Sequence, residues 1–194
     1  MSGAAELHVG ATLTPSKLEL LAPWLPEQSW FHGSHADLRR AAYFRLVDPD
    51  GEVGLDCMVV EAEGEYYFVP VTWRAQPLDG ADLIGTLQHS ELGLRYCYDA
   101  ATDPVFVAEA TRVIREAGSE AELRDAHGNQ LPITMTARGT GTLPGEGARL
   151  EVMRLLERAV PTPDNAAGSL IGRWTDHEGP RHDVSALPGS EHVE

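Results

Sequence analysis

The chain has 194 residues, of which 42% are hydrophobic and 23% are charged, a composition typical of one globular domain or of one domain with a small subdomain. The formal net charge of -15 argues against binding to nucleic acid or to an anionic membrane surface, because both are themselves negative. The sequence shows no signal peptide and no apolar run long enough to span a membrane, so we expect a cytoplasmic protein.

A short amphipathic helix is the first predicted element, over residues 15–25. Ser16 and Glu19 have the spacing of a capping box, in which each side chain binds the backbone of the other residue. Pro23 and Pro26 interrupt the pattern, since proline cannot continue a regular helix. The sequence therefore predicts a helix of only two or three turns.

Three strands joined by tight turns are predicted next. Residues 37–47, 52–62 and 65–73 are rich in aromatic and β-branched residues, and the segments 48–51 and 63–64 contain the glycines of tight turns. This order predicts an antiparallel meander with the first helix packed across it. The last of these strands carries large apolar residues on both faces. Its second face is expected either to bind a partner or to be covered by residues 148–187.

The second half of the chain predicts a smaller α+β unit. Short strands are expected within 82–98, a helix capped by Asp103 and closed by Gly118, and a hairpin over 121–138. Residues 148–160 fit a helix and a strand equally well. A final hairpin pairs 170–174 with 182–187. We therefore predict a cap-sized domain at 1–76, an α+β subdomain at 77–187 and a disordered tail at 188–194.

The residue types that catalysis would need are scarce. Lys17 is the only lysine against fourteen arginines, so neither the phosphate-binding lysine of a kinase strand nor a Schiff-base lysine is expected. Among the eight histidines, the close pairs His32/His35 and His177/His182 lack further ligands at metal-binding spacing. The sequence thus predicts no catalytic residue, no cofactor and no metal site.

Two segments carry a family resemblance. Residues 21–31, Leu-Ala-Pro-Trp-Leu-Pro-Glu-Gln-Ser-Trp-Phe, resemble the opening of maltokinase-type proteins. Residues 82–99, followed by Asp-Pro-Val-Phe-Val from Asp103, are similar to the stretch after the sheet of maltokinase N-terminal caps. With the order of the helix and the meander, the resemblance covers roughly residues 15–115.

The resemblance implies a cystatin-like fold of the α+β class, in which a helix is cradled by a curved antiparallel sheet. The kinase lobe of that family, with its His-Gly-Asp loop and lysine strand, has no counterpart in this sequence. We therefore expect a stand-alone, non-catalytic cap module, with a binding or regulatory role loosely linked to maltose, trehalose or glycogen metabolism. The alternative is a cryptic carbohydrate-active enzyme that uses paired carboxylates.

Six residues are candidates for contact with a carbohydrate, a protein partner or a second copy of the chain. The aromatic ones either anchor the helix to the sheet or form a surface for a sugar or a protein. The polar ones either make structural hydrogen bonds or contact a ligand. These residues are Trp24, Trp30, Phe31, His89, Tyr98 and Asp99.

Overall fold

The computed structural model describes residues 3–34, 37–142, 149–156, 168–175 and 181–190. Within these residues the fold is mostly antiparallel sheet with few helices, which fits the predicted α+β class. The strands are β1 (Ala4–Glu6), β2 (Leu13–Thr14), β3 (Arg39–Val47), β4 (Gly54–Ala62), β5 (Glu65–Arg74), β6 (Leu83–His89), β7 (Gly93–Asp99), β8 (Glu122–Arg124), β9 (Met135–Gly139), β10 (Arg149–Leu150), β11 (Ser169–Thr175) and β12 (Arg181–Ser190), and the α-helices are α1 (Lys17–Leu21) and α2 (Pro104–Arg115).

A six-stranded sheet with the order β2-β6-β7-β5-β4-β3 forms the centre of the molecule. Its neighbouring strands are all antiparallel, as expected for the meander β3–β5. Because β7 pairs with β5 through Val71 and Asp99, strands from both sides of residue 76 hydrogen-bond to each other. The boundary predicted after residue 76 therefore falls within one continuous sheet.

The helix α1 packs on one face of this sheet. Ser16 accepts a hydrogen bond from the backbone N–H of Glu19, and the Glu19 carboxylate accepts one from the backbone N–H of Ser16, so the capping box is present. The α-helix ends at Leu21, before Pro23, and is shorter than the two or three turns expected. Its buried residue Leu21 belongs to the same apolar cluster as Met58 of β4.

The opposite face of the sheet is covered by α2 and by a second sheet with the order β10-β12-β11-β9. Asp103 caps α2 as predicted, since its carboxylate accepts a hydrogen bond from the backbone N–H of Val105. Phe106 and Ile114 of α2 are fully buried together with Phe68 of β5. Two layers of secondary structure thus enclose the central sheet.

The segment 154–156 lies beside the first half of β5, where β7 has already ended. The backbone N–H of Phe68 donates to the carbonyl of Arg154 at 2.7 Å, and that of Leu156 donates to the carbonyl of Tyr66 at 2.8 Å. The sequence of 148–160 fitted a helix and a strand equally well, and these hydrogen bonds show extended structure as far as residue 156. Residues 157–160 lie outside the described residues. The idea that β5 offers an open face to a partner is wrong, because the chain itself covers it.

The predicted hairpin over 121–138 is confirmed around its turn, and one prediction about the tail needs correction. Arg124 and Gln130 form an antiparallel bridge across residues 125–129, and the backbone N–H of Leu131 donates to the carbonyl of Leu123 at 2.8 Å. In addition, β8 pairs in parallel with β1, and β9 pairs with β11. The strand β12 extends to Ser190 and includes the start of the tail predicted to be disordered; residues 191–194 lie outside the described residues.

The final hairpin is confirmed: β11 and β12 are antiparallel, paired from Thr175/Arg181 onward with a register shift between Leu170 and Ile171. Among the helices that the structure describes, none combines the length and the apolar character needed to cross a bilayer.

Candidate functional site

Four aromatic rings gather where the segment after α1 crosses the sheet. The Trp24 and Trp30 ring centroids lie 5.8 Å apart in an edge-to-face arrangement, and Phe31 lies 4.8 Å from Tyr67 of β5. Trp30 also contacts Tyr67 at 6.2 Å. Phe31 and Tyr67 are buried, whereas Trp24 and Trp30 are only half-buried. We call these four residues the aromatic cluster.

Arg154 joins the aromatic cluster to the predicted candidate Asp99. Its guanidinium carbon lies 5.0 Å from the centroid of Trp30, a cation–π distance. Its Nη2 donates to both carboxylate oxygens of Asp99, at 2.5 and 2.6 Å. Its side chain is only 10% exposed, and its Nη1 has no acceptor within the described residues. One buried donor is therefore left beside a half-exposed indole.

Tyr67, a member of the aromatic cluster, is held in place by hydrogen bonds of its hydroxyl group. Its hydroxyl donates to Glu65 at 2.5 Å and accepts from the backbone N–H of His32 at 3.3 Å. Burial, together with the hydrogen bond to the Glu65 carboxylate, raises the pKa of Tyr67 above its usual value. The phenol thus stays neutral and fixes the loop that carries Trp30 and Phe31.

The structure does not bring the other two predicted candidates to this cluster. Tyr98 is buried, and its hydroxyl accepts a hydrogen bond from the backbone N–H of Leu78 at 2.7 Å. His89 ends β6, where its Nδ1 accepts from the backbone N–H groups of Glu91 and Leu92, both at 3.2 Å. Both side chains make structural hydrogen bonds.

Buried carboxylates are the groups that a glycoside hydrolase would use, and in the described residues each has a partner already. Asp56 forms ion pairs with Lys17 and with Arg45, whose Nε lies 2.8 Å from the carboxylate, and it accepts a hydrogen bond from Trp73 at 2.9 Å. Although burial acts to raise the pKa of Asp56, the two cations outweigh it, and the pKa lies well below its usual range.

The remaining buried acids follow the same pattern. Asp103 receives Arg74 and Thr72, so its pKa is lowered by these hydrogen bonds in spite of burial, which acts to raise it. Glu109 binds Arg112 at 2.6 Å. Asp48 accepts three backbone N–H groups of the turn that follows it. These carboxylates are built as charged acceptors, which is the opposite of a proton donor's environment.

Sequence reasoning missed Arg154, Tyr67 and the ion triad around Asp56. No local pattern marks them, because Arg154 is 55 residues from Asp99 and Lys17 is 39 residues from Asp56. Only the fact that the sequence contains a single lysine could have drawn attention to Lys17.

The aromatic cluster lies in residues that match a known protein family. Residues 24–103 match the family model of the maltokinase N-terminal cap domain. The resemblance drawn from the two sequence motifs is confirmed for these residues, which are similar to a maltokinase N-terminal cap domain. No solved structure matches the chain.

The matched residues begin at Trp24 of the aromatic cluster, include β3 to β7 and end at Asp103, the N-cap of α2. They contain the predicted candidates from Trp24 to Asp99. Arg154, the partner of Asp99, lies beyond the matched residues, so the arrangement around Trp30 combines them with a later part of the chain.

Proposed function

We propose that the protein is a non-catalytic, maltokinase-related cap module that works by binding, in a regulatory role linked to maltose, trehalose or glycogen metabolism. The observation that carries this proposal is that every buried carboxylate of the described residues is occupied by an arginine, a lysine or backbone N–H groups. Groups fixed in this way are suited to holding the fold and poorly suited to moving protons. The cystatin-like relation of α1 to the sheet is part of the proposal, supported by the packing of Leu21 on β4.

A carbohydrate is the ligand that the aromatic cluster favours. Sugars bind through stacking of their C–H faces on indole rings and through hydrogen bonds to charged side chains. Trp24 and Trp30 supply half-exposed rings, and the Arg154–Asp99 ion pair supplies charged groups beside them. The expected site is therefore the surface formed by Trp24, Trp30 and the Arg154–Asp99 pair.

Docking of a protein, or of a second copy, is the second candidate, and a different surface supports it. Leu83, Leu92 and Leu94 are 52%, 42% and 46% exposed on β6 and β7 and the turn between them. Leu92 and Leu94 lie at the turn end of this hairpin, whereas Leu83, opposite Tyr98, lies at its other end. The exposed pair at the turn end is what supports docking.

The alternative of a carbohydrate-active enzyme with paired carboxylates is disfavoured. Such an enzyme needs one carboxyl group that stays protonated near neutral pH. The pKa values of Asp56 and Asp103 are shifted in the opposite direction by their cationic partners, although burial alone would raise them.

Calorimetric titration with maltose, trehalose and a linear maltooligosaccharide tests the proposal. We expect binding at concentrations of about 10 mM or below, and a loss of at least about tenfold for Trp24→Ala. Leu94→Ala serves as the matched control, because it removes a half-exposed apolar side chain from the other surface. If the wild-type protein binds none of the three sugars, the carbohydrate proposal is wrong.

A coupled assay for ATP consumption with maltose tests the non-catalytic part. We expect no turnover above the blank. Turnover that persists in Lys17→Ala would overturn it, since the reaction would then need no lysine at all. Size-exclusion chromatography with light scattering, on the wild type and on Leu94→Ala, tests the docking candidate.

A further inference from the structure

A cavity of about 1200 Å³ lies on the α1 side of the central sheet and is not part of the aromatic cluster. The N-terminal segment 4–9 forms one wall, and the beginning of α1 forms another. Trp73 and Leu87 contribute apolar surface to the lining, whereas Lys17, Arg95 and His89 contribute polar surface. Four carboxylates also line the cavity, those of Glu6, Asp48, Glu52 and Asp56. This combination of ring, aliphatic and cationic groups in one cavity is what an organic anion requires.

Arg95 and His89 project from the same face of the β6–β7 hairpin, because Arg95 is opposite Leu87 and His89 is two residues farther along β6. The imidazoles of His8 and His89 lie 5.3 Å apart, and the Lys17 ammonium lies 5.3 Å from the ring centroid of Trp73. Burial lowers the pKa of His89, and the positive potential of His8, Arg95 and Lys17 lowers it further against the opposing effect of Glu91. Arg95 and Lys17 therefore add positive potential around His89.

The tautomer of His89 leaves a donor on its ring. Its Nδ1 accepts the backbone N–H groups of Glu91 and Leu92, so the proton of the neutral ring is on Nε2. A neutral His89 thus presents an N–H group without needing to gain a charge.

Three of the four carboxylates in the lining already have partners, Asp48 through backbone N–H groups of its own turn. Asp56 takes Lys17 and Arg45. His8 lies between Glu91, at 2.6 Å from its Nδ1, and Glu6, at 4.0 Å from its Nε2. Arg95 has no carboxylate partner within the described residues; its only hydrogen bond there is a long one of 3.4 Å to the carbonyl of Leu94. In a chain with a net charge of -15, an unpaired arginine in a cavity wall is a conspicuous group.

We propose that this cavity binds the phosphate or carboxylate group of a small organic anion, between Arg95, His89 and the outer side of Lys17. Guanidinium and imidazole N–H groups form the short, charge-assisted hydrogen bonds that such anions prefer. The body of the ligand lies against Trp73 and Leu87, which favours a ring or an aliphatic chain. The inference is independent of the carbohydrate site, because the two share no residue.

Titration with phenyl phosphate, benzoate, inorganic phosphate and phenol tests the inference. Phenyl phosphate and benzoate distinguish a phosphate from a carboxylate site, and phenol lacks the anionic group. We expect the preferred anion to bind with a Kd of about 1 mM or tighter, inorganic phosphate to bind more weakly, and phenol not to bind. Proton NMR should show the Cε1–H signal of His89 moving on addition of the anion, while that of the exposed loop residue His127 stays in place.

Arg95→Gln is expected to weaken binding at least about tenfold, whereas Arg115→Gln should leave it unchanged. Arg115 is an exposed arginine at the end of α2 and controls for the loss of one positive charge. Equal affinity of Arg95→Gln and the wild type, equal loss in both variants, or absence of binding by either organic anion would overturn the inference. A His89→Gln variant with a normal melting curve gives a second, independent test. Sugar titrations of the same samples report separately on the proposed function.

Discussion

Replacing Asp56 by asparagine tests a buried carboxylate that is paired with two cations. The side chain of Asp56 is 4% exposed, and those of Arg45 and Lys17 are 16% and 29% exposed. The asparagine keeps the shape but removes the charge that neutralises two cations. Breaking a buried ion pair by removing one partner costs about 3–5 kcal/mol, and the partial exposure of Lys17 favours the lower end.

A loss of about 3 kcal/mol should lower the melting temperature by about 6–12 °C for a chain of this length. Urea unfolding at pH 7, followed by fluorescence, gives the free energy directly. Asp79→Asn is the control, because Asp79 is an exposed carboxylate in the turn before β6. If Asp56→Asn unfolds at the same urea concentration as Asp79→Asn, the ion triad contributes nothing and our reasoning about buried charges fails.

The ion pairs of Asp56 with Lys17 and Arg45 also predict how the free energy of unfolding depends on pH. The folded-state pKa of Asp56 is depressed below the ordinary value of 3.8, so its contribution is present above that value and is lost as the pH falls further. The difference in unfolding free energy between the wild type and Asp56→Asn should therefore narrow below about pH 4. A constant difference from pH 7 to pH 3 would show that the charge of Asp56 is not responsible.

Four further perturbations follow from the packing. Trp30→Ala should lower the free energy of unfolding by about 3 kcal/mol, which is the low end for a large aromatic residue because the ring is half-buried. A melting curve equal to that of the wild type would identify Trp30 as a recognition residue instead. Asp103→Ala removes both the cap of α2 and the partner of Arg74, and we expect about 3–5 kcal/mol less stability in urea, with helical circular dichroism lost first. Gly139→Ala would place a methyl group 2.1 Å from the carbonyl oxygen of Val113, so we expect at least about 1–3 kcal/mol of destabilisation, and normal stability would show that β9 can shift away from α2. Truncation after residue 139 should expose the second face of β5 and cause aggregation in light scattering; a monomeric truncated chain would contradict the importance of the second sheet.

Local signals in the sequence predicted the elements that depend on near neighbours. The capping box at Ser16 and the cap at Asp103 are interactions within a few residues, so their residue types and spacing are sufficient evidence. The turns at 48–51 and 63–64 likewise place β3, β4 and β5 in order, because each tight turn allows only a neighbouring antiparallel strand.

Contacts between distant parts of the chain could not be predicted in this way. The parallel pairing of β1 with β8 joins Ala5 to Leu123, and neither segment contains a pattern that indicates the other as its partner. The same limit applies to Arg154, whose pairing with Asp99 completes the surroundings of Trp30. For the candidate site, the sequence therefore supplied the aromatic residues and Asp99, while the arginine that connects them was found only in the folded chain.

The packing of Leu156, Leu170 and Trp174 against β5 has a consequence for synthesis on the ribosome. All strands of the central sheet have emerged once residue 103 has left the exit tunnel, but the cover for Phe68 comes from Leu156 and Leu170. At rates of about 5–20 residues per second, the translation of the intervening segment takes roughly 4–14 s. During this interval the nascent sheet displays a large apolar face, which makes it a substrate for chaperones that bind unfolded chains.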